Sequence, residues 1–114
     1  MRFYIVLLAT FFLTSCHNPK GPAKKDLKEI AQEIMINAKI CSLITIDSLG
    51  IAHARVMDPF LPEENFTVWM ATNPKSLKVR QIEDNGQVTL FYFDQKSVSY
   101  VALQGVARIV NSQV

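Results

Sequence analysis

The chain has 114 residues, enough for one small domain. Its 12 Lys and Arg against 10 Asp and Glu leave a formal charge of +2, and no basic tract is interleaved with aromatics, which argues against a nucleic-acid surface. The two histidines lie far apart with no Cys/His/Asp cluster, so the sequence offers no metal site.

The amino end is not part of the domain. Met1-Arg2 is a short basic start, and Tyr4 to Leu13 is an apolar run. At about ten residues it falls short of the ~20 needed to span a bilayer but suits a signal-peptide core. Leu13-Thr14-Ser15-Cys16 resembles the bacterial lipobox. That resemblance implies a signal peptide over 1–15, cut before a lipidated Cys16, then a tether over 16–25 and a domain over 26–114. The protein is then expected in the bacterial cell envelope, outside the cytoplasm and held to a membrane by Cys16. An ordinary signal peptide containing a cysteine is the alternative. Lys20, Lys24, Lys25 and Lys28 solvate the tether or sit near anionic lipid heads. Cys41 remains as the single thiol of the mature chain, and it reads as a small buried hydrophobe within the apolar run Ile40 to Ile46.

Asp26-Leu27-Lys28-Glu29 has capping-box spacing, and Leu27, Ile30, Ala31, Ile34, Met35 and Ala38 recur at helical spacing, predicting a helix over 27–38. Strands are predicted at 40–46 and 51–57, joined by the turn Asp47-Ser48-Leu49-Gly50. A third strand is predicted at 66–71, a fourth at 87–93 and a long fifth at 97–110, with a bulge or bend at Gly105. Asn85-Gly86 is expected to end the preceding helix with a left-handed cap. This order of elements indicates a mainly β domain with flanking helices, a small barrel. The fifth strand is apolar on both faces, so one face fills the barrel and the other calls for a second cover, most simply a second subunit.

Residues 66–78 carry the strongest functional signal. Asn73-Pro74 reads as a helix start, with Asn73 as N-cap. Helix N-termini attract anions, and here Thr72, Ser76, Lys75 and Lys78 surround one. Backbone donors, hydroxyls and a cation are what a phosphate monoester needs. Most strand-to-helix turns with a nearby lysine bind nothing, so the rest of the chain must decide.

Three segments stand in order: Ala54-Arg55-Val56-Met57, Thr72-Asn73-Pro74-Lys75-Ser76-Leu77-Lys78, and Gln81-Ile82-Glu83-Asp84-Asn85 leading into Val88-Thr89-Leu90-Phe91. They resemble the FMN-binding split β-barrel family of pyridoxamine 5′-phosphate oxidases and general-stress flavoproteins. The resemblance implies a homodimer with FMN in the groove between subunits. By position, Arg55 is expected at the flavin phosphate or ring edge, and Val56 and Met57 present backbone groups to the isoalloxazine. Thr72 and Ser76 offer hydroxyls to the phosphate, and Lys78 neutralises it. Oxidases proper carry Arg-Lys where this chain has Leu77-Lys78, and Tyr100 stands where Gln is frequent. The family also continues past the position of Val114, so the barrel is expected to be incomplete at its C-terminus and pyridoxamine phosphate oxidase activity is not expected of this chain. The implied function is a lipid-anchored flavin-dependent oxidoreductase of unknown small-molecule substrate. A non-catalytic envelope protein binding flavin or haem is the alternative. No catalytic side chain is assigned, because the flavin performs the redox chemistry. The other reading of Arg55 is a solvated side chain on an outer face.

Overall fold

The computed structural model of the chain describes residues 2–5 and 25–111. Its elements are β1 (Arg2–Ile5), α1 (Leu27–Ala38), β2 (Cys41–Ile46), β3 (Ala52–Met57), α2 (Leu77–Asp84), β4 (Gln87–Asp94) and β5 (Ser99–Arg108). The strands form one antiparallel sheet in the order β1-β5-β4-β2-β3. Cys16, the lipobox and the tether residues 16–24 lie outside the described residues. Arg2–Ile5, inside the expected signal peptide, pairs along the outer edge of β5.

Strand alternation sorts the sheet into two faces. Cys41, Leu43 and Thr45 of β2, Val88, Leu90, Tyr92 and Asp94 of β4, and Leu103 and Ala107 of β5 are buried on the inner face. Helix α1 covers that face over β4 and β5, with Met35 as its one fully buried residue. The opposite face carries Val56, Phe91, Phe93, Tyr100 and Val106, all exposed. Phe91 and Tyr100 stack there with ring centroids 5.4 Å apart.

The β2–β3 hairpin turns as its residues predict. Gly50 supplies the positive φ of 79°, and Asp47 Oδ1 accepts from the N–H groups of Leu49 and Ile51, both at 2.9 Å. Asp47 Oδ2 meets His53 Nε2 at 2.8 Å, and this contact, with the backbone donors, holds the Asp47 carboxyl below its usual pKa.

Four local expectations are corrected. Residues 66–71 do not form a strand: Phe66, Thr67, Val68 and Met70 are all buried, and only Trp69 bridges, accepting from Phe60 N–H at 2.9 Å. The alternation suggested one buried face, whereas the segment fills the core from both sides. Phe66 starts it with φ at 63°, a conformation held by its N–H bond to Glu63 O and by ring burial. Second, the chain turns at Asn73-Pro74, closed by Ser76 N–H to Asn73 O at 3.0 Å, and α2 begins only at Leu77. Asn-Pro suits a turn as well as a helix start, and Asn73 Oδ1 accepts from Lys75 N–H instead of capping the helix. Third, Asn85 leaves α2 with φ −144°, so no left-handed cap forms. Gly86 is small for another reason: a Cβ there would stand 2.9 Å from Ala107 O, where Ala107 N–H reaches Gly86 O at 2.7 Å. Fourth, Gly105 sits in unbroken register opposite Val88, without a bulge.

Candidate phosphate-binding site

Arg55 lies on the inner face of β3, an edge strand, and not on the solvated face. Its Nη1 donates to Thr45 Oγ1 at 2.8 Å and to Leu43 O at 3.4 Å, and its Nη2 donates to Gln81 Oε1 at 3.0 Å. Thr45 Oγ1 donates to the same Gln81 oxygen at 2.7 Å. Every acceptor is neutral. Among the described residues no carboxylate pairs with Arg55, and burial alone draws its pKa down. A half-buried guanidinium without a counter-charge is costly to the fold and attractive to an anion.

Gln81 also places Arg55 relative to the other cation. Lys78 stands three residues earlier on α2, and positions i and i+3 are neighbours on a helix surface. Arg55 therefore meets α2 one turn from Lys78, which has no ion-pair partner among the described residues.

The two expected hydroxyls flank the start of the helix. Ser76 is the N-cap of α2, yet its side chain caps nothing. Ser76 Oγ and Thr72 Oγ1 are both buried without a hydrogen-bond partner. Buried hydroxyls usually find one, so two orphans beside one helix N-terminus mark a place where acceptors are wanted. The charges of α2 point the same way. Lys78 and Arg80 occupy its first half and Glu83 and Asp84 its end, the reverse of what the helix dipole favours. The residues present thus fit a phosphate group: two cations without a carboxylate partner among the described residues, two unpartnered hydroxyls and a helix N-terminus.

The remaining expected site residues are arranged differently. Val56 and Met57 point to opposite faces, Val56 outward and Met57 against the core. Val56 lines a groove of about 1040 Å³ on the open face with Ile40, Ser42, Phe91 and Phe93. Thr72 lines a second groove of about 620 Å³ with Trp69, Pro74, Val79 and Ile109. No hydrogen bond joins Arg55 to Thr72 or Ser76. Sequence reasoning missed Thr45 and Gln81. The available signal was Thr45, a polar residue in phase with the apolar Cys41 and Leu43 of β2.

Comparison with known proteins gives the family and the fold. The profile of the family described as "Pyridoxamine 5′-phosphate oxidase like" matches residues 25–114, and the chain belongs to that family. Its fold is the mainly β split barrel of the group. A pyridoxamine 5′-phosphate oxidase-related, FMN-binding protein of Nostoc punctiforme superposes with a TM-score of 0.62 at 15% identity, over 76% of this chain and 46% of that one. A candidate pyridoxamine 5′-phosphate oxidase of Listeria innocua gives 0.67 at 16% identity, over 77% and 69%. A conserved hypothetical protein of Mycobacterium tuberculosis gives 0.63 at 23% identity, over 85% and 61%. The chain thus spans about half the length of the first of these. No curated protein matches the chain.

Proposed function

We propose that this protein binds FMN, with the phosphate held by Arg55, Lys78, Thr72, Ser76 and the N-terminus of α2. The observation that carries the reading is Arg55: a half-buried cation bonded, among the described residues, only to neutral oxygens, and held against α2 one helical turn from Lys78. The isoalloxazine is assigned to the edge of β3 at Val56 and Met57, where the strand offers the unpaired backbone groups of an edge strand. The apolar side chains of the open face are assigned to contact with a second copy of the chain, giving a homodimer. The Nostoc relative's description as an FMN-binding protein supports the cofactor. When bound, flavin supplies the electron-transfer chemistry, and the protein binds and orients it. We assign the chain as a flavin-dependent oxidoreductase acting on a small molecule. The lipobox-like Leu13-Thr14-Ser15-Cys16 supports anchoring to the cell envelope through Cys16.

Titration of the apoprotein with FMN and with riboflavin tests the site. FMN is expected to bind with a band at about 450 nm, the general flavin signature. Lys78→Ala is expected to weaken FMN by about tenfold and riboflavin by about twofold or less, since a hydrogen bond to a charged group contributes ~1.5–3 kcal/mol. Equal losses for both ligands would remove the phosphate role. A Soret band in the purified protein would replace flavin with haem. Cys16→Ser is expected to release the protein from the membrane fraction; retention there would refute the anchor.

A further inference from the structure

We propose that Gln81, supported by Thr45, is the positioning residue of this anion site: it fixes the Arg55 guanidinium against α2 through neutral hydrogen bonds, leaving its charge and one N–H edge for the ligand. The proposal rests on the phosphate reading of Arg55 above. Gln81 and Thr45 are themselves 6% and 0% exposed, and Gln81 Oε1 and Thr45 Oγ1 find their partners inside the protein.

The hydrogen bonds have one consistent set of directions. A guanidinium only donates, so the Gln81 atom facing it is the amide oxygen and the Thr45 oxygen facing it is an acceptor. Thr45 must then send its own proton to Gln81 Oε1, 2.7 Å away. These two oxygens lie close together and take one Nη1–H and one Nη2–H, so they share the end-on fork of the guanidinium. The other Nη1–H faces Leu43 O. Nε–H and the second Nη2–H remain, side by side, with no partner among the described residues. That edge is the geometry by which arginine grips phosphate through two bonds.

The choice of Gln over Glu then has a physical reason. A glutamate at 81 has the same length and the same oxygen toward Arg55, and it would form a partly buried ion pair. It would also cancel the cation that the phosphate needs. Glutamine keeps the position and omits the charge.

Gln81→Glu is therefore the test. Three quantities are measured for the wild type and the variant: FMN affinity, riboflavin affinity, and the shift in melting temperature caused by inorganic phosphate alone. The variant is expected to melt higher than the wild type without ligand. It should bind FMN at least about tenfold more weakly, keep riboflavin within about twofold, and lose the phosphate-induced shift. Unchanged FMN affinity, or equal loss of both flavins, overturns the proposal. If the wild type binds no flavin but shows a phosphate-induced shift that Gln81→Glu abolishes, the flavin reading falls and the Gln81 assignment stands. Absence of any phosphate response in the wild type overturns both. Should the variant fail to fold, Thr45→Val must lower the FMN-to-riboflavin preference and Thr45→Ser must restore it; equal preference in wild type, Val and Ser forms overturns the proposal.

Discussion

The two helices of this protein obey opposite rules. Helix α1 has Glu29 in its first turn, as the dipole favours, and it attaches to the sheet through an apolar stripe centred on Met35. Helix α2 carries its cations first and its carboxylates last; a side-chain cap does not separate the two, since neither Asp26 before α1, where the spacing predicts a capping box, nor Ser76 before α2 caps its helix. Beneath α1 the inner face of the sheet is apolar, and burial pushes the Cys41 thiol up to about 11. Beneath α2 the same face holds Thr45 and the Arg55 guanidinium, both bonded to Gln81 of the helix and, among the described residues, facing no carboxylate. One helix is built for stability. The other gives up local stability, which the anion site proposed above would account for.

The largest break in this contrast should come at Met35. Met35→Ala is expected to cost ~2–5 kcal/mol, because it empties the contact that docks α1 on the core. Denaturant unfolding would show it, with the FMN-to-riboflavin preference of the surviving folded protein unchanged. A lost preference would mean that α1 also shapes the site.

Reversing charge sharpens the comparison further. Lys78→Glu should stabilise the ligand-free protein by ~0.3–1 kcal/mol, since it corrects the polarity of α2, and should abolish the preference for FMN. Glu29→Lys in α1 should destabilise by a similar amount and leave flavin binding untouched. Paired thermal melts and titrations separate the two cases. If Lys78→Glu destabilises, the polarity of α2 is not a functional concession.

The narrowest expected effect is a pH dependence on the α1 side, confined to the alkaline range. The folded-state pKa of Cys41 is raised, chiefly by burial, from 9.0 to about 11, so the fold favours the protonated thiol. The stability this gives is complete below about pH 9 and is lost as pH climbs toward 11. Cys41→Ala should flatten that part of the stability profile, measured as urea midpoints across the alkaline range. The same burial predicts that native Cys41 resists alkylation at pH 8.

Much of this was written in local residue pattern. Helix α1 is legible at both ends because its stripe recurs at helical spacing from Leu27 to Ala38. The β2–β3 hairpin follows from Asp47 and Gly50, which serve that turn whatever surrounds it. Where a signal admits two local structures, the sequence misleads. Asn73-Pro74 fits a turn or a helix start, and Phe66 to Met70 alternates like a strand although both of its sides are buried.

The candidate site divides along the same line. Arg55, Thr72, Ser76 and Lys78 could be named from the sequence because charge and hydroxyl chemistry belong to the residue itself. That Arg55 faces inward, that Thr45 and Gln81 hold it, and that no carboxylate among the described residues answers it are facts of contact. Thr45 and Gln81 lie 36 residues apart in the chain, and Arg55 lies between them. Sequence thus determined which groups could meet an anion. Only the tertiary structure decided which of them remain unpaired, because a charge is compensated or left free by neighbours in space.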